Sequence, residues 1–252
     1  MNTVIITGAS AGLGREFFIN ACEKFEGCEF WLVARRREAL AQTAAMVEGA
    51  ATRLVECDLA SDEGLRSFEA LLEAEQPDVK LFVNNAGFGK LGNVEDLDPY
   101  VQRAMVSLNC GSATALCAMI LKYMHEGSGI INVASIASFV PNPRMTVYSS
   151  TKAYLASFSK GLREELKPRK INVLTVCPGP MRTEFLAVAD ITDGSSKAFA
   201  TLPYCDARVV AKKSIDRVMK GKAYYTNRAL YKFYRVLAKI VPHNLMMKFA
   251  KC

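Results

Sequence analysis

Short apolar and β-branched runs alternate along this chain with longer segments in which apolar residues recur at helical spacing. The runs fall at residues 3–7, 29–34, 52–57, 81–83, 130–133 and 171–176. Consecutive apolar positions without polar alternation suit strands covered on both faces. Residues 13–25, 39–47, 63–74, 101–123 and 148–166 read as helices. The alternation predicts an α/β fold: a doubly wound parallel sheet of about seven strands, helices on both faces and right-handed crossovers. Gly127-Ser128-Gly129 is expected to break the chain just before the run at 130–133. A chain of 252 residues, 50 % of them hydrophobic, can bury one sizeable core, so a single domain is expected. No repeat, low-complexity tract or linker interrupts it.

Candidate chemistry begins where the first run ends, at Gly8-Ala9-Ser10-Ala11-Gly12-Leu13-Gly14. Glycines permit a tight turn and close backbone approach, and a helix starting at residue 13 would present its N-terminal amides to a phosphate. Gly8, Ser10, Gly12, Leu13 and Gly14 therefore read as a dinucleotide-binding turn, although their spacing departs from the Gly-x-Gly-x-x-Gly fingerprint. The second run ends in Arg35-Arg36-Arg37, and residues 31–37 hold no Asp or Glu. At that strand end a carboxylate would accept a ribose 2′-hydroxyl, whereas an arginine accommodates a 2′-phosphate. NADP(H) is thus expected over NAD, with Arg35 the first candidate contact and Arg36 the second. The plainer alternative, arginines opening a solvated helix, suits Arg37 best. Asp58-Leu59 closes the third run, where the carboxylate would accept a hydrogen bond from adenine.

On a helix, a spacing of four sets Tyr148 and Lys152 on one face, roughly 6 Å apart along the axis. The ammonium would favour phenolate and draw a group that titrates near ~10 toward the range of a general acid/base. Ser135, upstream of both, would hold a substrate oxygen while Tyr148 moves the proton.

In order and spacing, Gly8-x-x-x-Gly12-x-Gly14, Asp58, Asn84-Asn85-Ala86-Gly87, Asn109, Ser135, Tyr148-x-x-x-Lys152 and Pro178-Gly179 with Thr183 resemble the classical short-chain dehydrogenase/reductase family, NADP-preferring branch. The resemblance spans residues 2–226 and implies a Rossmann-like fold with a catalytic tetrad. In it, Tyr148 is the general acid/base, Lys152 lowers its pKa and binds the nicotinamide ribose, and Ser135 polarises the carbonyl. Asn109 holds a water that continues a proton relay through Lys152. The resemblance also implies that Asn84-Asn85-Ala86-Gly87 lines the adenosine side and stabilises the sheet centre, with Asn85, Ala86 and Gly87 as cofactor contacts. Pro178 and Gly179 would turn the chain around the nicotinamide ring, and Thr183 would reach its carboxamide. Ala134 stands where relatives often carry a second serine. Relatives form dimers or tetramers through two long helices, so a homo-oligomer joined through 101–123 and 148–166 is expected.

Residues 183–206 follow the nicotinamide motif and are expected to form a substrate lid, made apolar by Phe185, Leu186, Val188, Phe199 and Leu202. Phe139, Val140, Pro141, Pro143 and Met145 are expected to form the facing wall, with Arg144 as its only charge. Charge changes the picture at the other end. The chain carries 32 Lys and Arg against 25 Asp and Glu, and no acidic residue follows Asp216. Arg217, Lys220, Lys222, Arg228, Lys232, Arg235, Lys239, Lys248 and Lys251 therefore carry the whole positive balance. Over 230–241, Leu230, Phe233, Tyr234, Leu237, Ile240 and Val241 share one side of a helical projection, with Lys232, Arg235 and Lys239 on the other. The tail, 227–252, has two competing readings: packing on the body or a second subunit, and peripheral contact with an anionic membrane. No nucleic-acid motif accompanies the charge, and no uninterrupted apolar run approaches the ~20 residues that span a bilayer.

Eight cysteines without CxxC spacing suit a reducing compartment, and the first strand starts too early to leave room for a leader, so a cytoplasmic location is expected. His125 and His243 lie far apart, and no metal site is expected. Together these features predict an NADP(H)-dependent oxidoreductase that transfers hydride between nicotinamide and a carbonyl or secondary alcohol, with a hydrophobic ketone or hydroxysteroid-like substrate. Reduction of a 3-oxoacyl or other lipid-linked carbonyl is the alternative within the class. A catalytically silent NADP-binding sensor or scaffold is the alternative outside it, and an intact tetrad disfavours it.

Overall fold

The apolar runs become strands, joined at one edge by a short seventh: β1 (Asn2–Thr7), β2 (Glu29–Ala34), β3 (Thr52–Glu56), β4 (Asp78–Asn84), β5 (Met124–Val133), β6 (Asn172–Val176) and β7 (Tyr224–Tyr225). This is a computed structural model that describes residues 1–192, 194–250 and 252; Asp193 of the expected lid and Lys251 of the expected tail lie outside the described residues. The strands pair in parallel in the order β3-β2-β1-β4-β5-β6-β7. Helices α1 (Gly12–Lys24), α2 (Arg37–Ala44), α3 (Asp62–Glu75), α4 (Pro99–Val106), α5 (Ala113–Ile120) and α6 (Thr146–Leu166) lie between strands. After β6 come α7 (Phe185–Val188), α8 (Lys197–Thr201), α9 (Ala207–Met219), α10 (Ala229–Ile240) and α11 (His243–Ala250).

Successive side chains of a strand face opposite ways, so an uninterrupted apolar run is satisfied only when both faces are covered. Val4 and Ile6 enter one core with Phe17 and Phe18 of α1 and Val210 of α9. Ile5, between them, enters the other with Phe68 and Leu72 of α3, Leu116 of α5 and Leu162 of α6. Each such side chain contributes roughly 1.5–3 kcal/mol through its burial. The result is the single-domain, Rossmann-like doubly wound sheet that the alternation predicts.

Because β1 pairs with β2 on one side and β4 on the other, the chain reverses its direction of travel across the sheet at β1. The crevice at the carboxyl ends of such strands is where open α/β sheets take ligands.

Two local expectations change. The helix expected over 101–123 is broken by a π-helical turn, Ser107–Ser112, between α4 and α5. That turn carries Asn109, whose buried amide closes on the backbone of Phe88; insertions of this kind re-aim a side chain from within a helix. The glycine-serine break at 127–129 lies inside β5 instead of before it. Its pairing with β4 slips between Val79 and Leu81, and Gly127 takes φ +87° there. The helical stretch Pro99–Tyr123 is long and apolar enough to cross a membrane by length and composition. Within the fold, however, Leu116, Cys117 and Ile120 are core residues packed beneath the sheet.

Candidate active site

α6 begins two residues before Tyr148, and its first turns run past the carboxyl ends of the central strands. Tyr148 is buried to 9 % exposure and Lys152 to 5 %. The Lys152 ammonium donates to the Val133 carbonyl at 2.8 Å and lies 5.8 Å from the centre of the Tyr148 ring. Ser135 follows β5 directly and is held by two backbone contacts of its turn: its Oγ accepts from Ala137 N at 3.1 Å, and Ile136 N donates to the Pro178 carbonyl. Its hydroxyl shares the cavity with the Tyr148 phenol and draws that phenol's pKa down.

The electrostatics reverse the expectation for the phenol. Burial pushes Tyr148 up to about 12, and the hydrogen bond from Ser135 offsets only part of that rise. Burial pulls Lys152 down to about 8. Desolvation penalises the charged form of each group, and here it outweighs the pull of Ser135 on the phenol and of the Cys110 and Cys177 thiols on the ammonium. In this state Tyr148 therefore holds its proton and is set to act as an acid.

Asn109 stands behind this pair. Its Nδ2 donates to the Phe88 carbonyl at 2.9 Å and to Thr151 Oγ1 at 3.0 Å, while Oδ1 accepts from Phe88 N at 3.1 Å. Both amide hydrogens are thus taken, and the side chain fixes Phe88 and the residue preceding Lys152.

The dinucleotide turn is a backbone cradle. Gly8 adopts φ +66°, and a Cβ added to Gly14 would stand 2.1 Å from the Gly8 carbonyl oxygen. No side chain fits there, so the first turn of α1 packs directly on the end of β1. Thr7 and Asn85 tie β1 to β4 at the same level: Asn85 N donates to Thr7 Oγ1, and Asn85 Nδ2 donates to Thr7 O, both at 3.0 Å. Asn84 is buried at the sheet centre, donating to Asn132 Oδ1 and Ala113 O.

One cavity of about 870 Å³ joins these parts. It is lined by Gly8, Ser10, Gly12, Leu13, Arg35, Arg36, Asp58, Leu59, Asn85, Ala86, Gly87, Ser135, Tyr148, Lys152, Pro178, Gly179 and Thr183. Gly14 and Asn109, the remaining predicted residues, support it from behind. Cradle and arginines fit a phosphorylated dinucleotide, and a carboxylate already marks the phosphate position: Glu184 Oε2 accepts from Gly12 N at 3.1 Å, and Oε1 accepts from Arg15 at 2.9 Å. An acidic oxygen at a helix N-terminus takes the place that a phosphate oxygen would take.

The substrate side departs from expectation. Among the residues assigned to the facing wall, Met145 lines the cavity, but Phe139, Val140, Pro141 and Pro143 do not. Phe139 and Val140 instead pack against Ala238, Tyr234, Leu237 and Met246 of the tail. Their apolar character serves to seat α10 and α11, which supply the wall. Leu230, Tyr231, Tyr234, Ala250 and Cys252 line the cavity. Arg144 Nη1 donates to the Cys252 and Ser195 carbonyls, both at 2.9 Å, clasping tail and lid together. Tyr231 is 1 % exposed, donates to Pro203 O at 2.6 Å and fills the space over Gly179. From the lid, Phe185 places its ring 5.6 Å from that of Tyr148. The sequence signals the apolar stripe of the tail but not the surface it meets, and it gives no signal that Arg15 and Glu184 form a latch on the glycine turn.

The family model described as short chain dehydrogenase matches residues 2–193. A probable oxidoreductase, EphD, of Mycobacterium tuberculosis is 29 % identical over 93 % of this chain and 43 % of its own length. The very-long-chain 3-oxoacyl-CoA reductase of Anas platyrhynchos is 29 % identical over 73 % of this chain and 61 % of its own. The chain thus spans less than two thirds of either relative. A short-chain dehydrogenase from Sphingobium yanoikuyae, solved in complex with NADPH, superposes with a TM-score of 0.80 at 26 % identity, covering 98 % of this chain and 95 % of that one.

Proposed function

The chain belongs to the short-chain dehydrogenase family, and on that premise we propose that this oxidoreductase is an NADP(H)-dependent reductase of hydrophobic ketones, hydroxysteroid-like compounds included. The observation that carries the reading is the buried Tyr148 phenol, one helical turn from Lys152 and sharing with Ser135 a cavity that has an apolar substrate wall. When bound, the cofactor supplies hydride. Tyr148 delivers the proton to the substrate oxygen, and Ser135 donates a hydrogen bond to that oxygen as charge develops on it. Lys152, held by Val133 O, keeps a positive charge beside the phenol and reaches the ribose, while Asn109 positions the strap that carries Phe88. Arg35 and Arg36, at the mouth where adenosine would lie, support NADP(H) over NAD, and the NADPH held by the Sphingobium relative agrees with that choice. The same reading takes the protein as a homo-oligomer, supported by exposed Val106 and Tyr154 on its long helices.

A second reading, reduction of 3-oxoacyl or other lipid-linked carbonyls, is favoured by Leu230, which lines the cavity yet is 49 % exposed and so opens the apolar wall outward. The name of the Anas relative points the same way. The test is NADPH and NADH oxidation with short ketones, steroid ketones and 3-oxoacyl thioesters, with Tyr148→Phe alongside. Tyr148→Phe is expected to lower turnover by about 10²–10⁴-fold while leaving NADPH binding intact. Undiminished turnover would remove Tyr148 from the chemistry, and tight NADPH binding without turnover on any substrate would favour the sensor reading.

A further inference from the structure

The tail packs on the body with only half of its apolar arc. On α10, Tyr231 and Ala238 are buried, and Tyr234 packs on Phe139 with ring centres 5.8 Å apart. The neighbouring arc is left open: Phe233 is 61 % exposed, Val236 52 %, Ile240 75 % and Leu230 49 %. These positions recur at helical spacing and form one stripe along the outer side of the helix. Lys232 and Lys239, both exposed, flank it.

We propose that α10 is an interfacial helix that seats the protein on an anionic membrane surface, with the cavity mouth at Leu230 turned toward the lipid. Charge selects this occupant. No acidic residue follows Asp216, so every charge the tail itself sets beside the stripe is a cation. A symmetric contact between two copies of this face would set lysines against lysines, whereas phosphatidylglycerol or phosphatidylserine headgroups neutralise them as the apolar residues enter the acyl boundary. Nucleic acid would meet the charge but leave Phe233 and Ile240 uncovered. Because Leu230 belongs both to the stripe and to the cavity, the face that meets lipid also opens onto Tyr148. Resting on the reductase reading above, this assigns the substrate class: an apolar carbonyl compound that partitions into membranes and enters from the bilayer side.

The test is flotation of the full chain with vesicles of phosphatidylcholine alone and of equimolar phosphatidylcholine and phosphatidylglycerol, at low and high salt. The protein is expected to float with the anionic vesicles, at least about tenfold more than with the neutral ones, and to lose binding as salt rises. The double variant Phe233→Glu, Ile240→Glu, altered only at exposed positions, is expected to lose at least about tenfold of that binding. It should keep NADPH binding and its turnover of a short soluble ketone while losing turnover of a long-chain ketone held in the vesicles. Failure of the wild-type protein to float at low salt overturns the inference. So does a double variant that floats as before, or one whose only change is a smaller oligomer by light scattering, which assigns the stripe to a second copy. Flotation is read without turnover, so an inactive protein that floats refutes the reductase reading and leaves the membrane seat standing.

Discussion

On the dinucleotide side of the cavity the wall is backbone, whereas on the lid side it is side chains drawn from distant parts of the chain. Gly8, Gly14 and the ends of β1 and β4 meet main chain to main chain, with Thr7 and Asn85 as the polar clamp. Met145, Phe185, Tyr231 and Cys252 meet through side chains, and the backbone of the last is held by Arg144 Nη1 on its carbonyl and by the Pro143 carbonyl on its N–H. A backbone wall admits one cofactor shape and has no room to yield. A side-chain wall can be resurfaced without disturbing the strands beneath. The difference separates the invariant part of the task, holding a nicotinamide dinucleotide, from the variable part, choosing a carbonyl compound.

The sharpest way to break that contrast is Gly14→Ala. Its new Cβ would lie 2.1 Å from the Gly8 carbonyl oxygen, so α1 must move off β1. The expected outcome is loss of stability by about 3 kcal/mol in urea unfolding, together with loss of measurable NADPH binding by fluorescence titration. Gly161→Ala is the control: nothing lies within 4 Å of its Cβ on the outer side of α6, and the gain in helix propensity should be up to about 1 kcal/mol. An alanine at position 14 that binds NADPH normally would show that the turn has slack and that the backbone wall is not rigid.

The same contrast explains what could be read in advance. The cofactor wall lies at strand ends followed by short turns, so Gly8, Arg35, Asp58 and Gly87 are fixed once their strands are recognised. Tyr148 and Lys152 share one helix, and their spacing fixes their relation. The substrate wall depends on which surface the tail meets, and no local periodicity encodes that. Phe139 and Val140 are apolar for a reason the sequence cannot assign: they serve α10 instead of the ligand. Asn109 was placed at the site, yet the π-helical turn that aims it is invisible, because Ser107–Ser112 looks like any helical stretch. Spacing shows that Lys152 lies near the phenol but not that both groups are dry, and burial is what raises the Tyr148 pKa and lowers that of Lys152.

Burial of Lys152 gives a second prediction, similar in energy but without loss of the cofactor wall. Its pKa falls from 10.5 to about 8 because the folded protein desolvates the ammonium. Below pH 8 the unfolded and folded chains are both protonated there, and the burial penalty is present in full. As pH rises from 8 to 10.5 the folded protein releases the proton first, and the penalty is relieved. Lys152→Met lacks this titration, so any stability advantage of K152M over wild type should shrink by about 3 kcal/mol between those limits in urea unfolding. A difference that stays constant with pH would mean that Lys152 is solvated in the folded state.

The smallest effect is expected where the two walls touch, at Glu184. Burial alone would raise its carboxyl, but hydrogen bonds from its own backbone and Gly12, with the charge of Arg15, bring it below the usual carboxylate range. A lowered pKa means that the contact is complete above the ordinary range and is lost as pH falls through the folded value. The carboxylate and a cofactor phosphate compete for the same Gly12 amide and Arg15 charge. Removing the negative charge should therefore favour the cofactor. Glu184→Gln is expected to tighten NADPH binding by about threefold at neutral pH, in line with the modest strength of an exposed charge at a helix N-terminus. Wild-type affinity should rise toward that of E184Q as pH falls into the acid range, while the variant's own affinity should show no matching rise. Weaker NADPH binding by E184Q would reverse the assignment: the carboxylate would then hold Arg15 in place for the cofactor, and the lid would be part of the cofactor wall instead of its competitor.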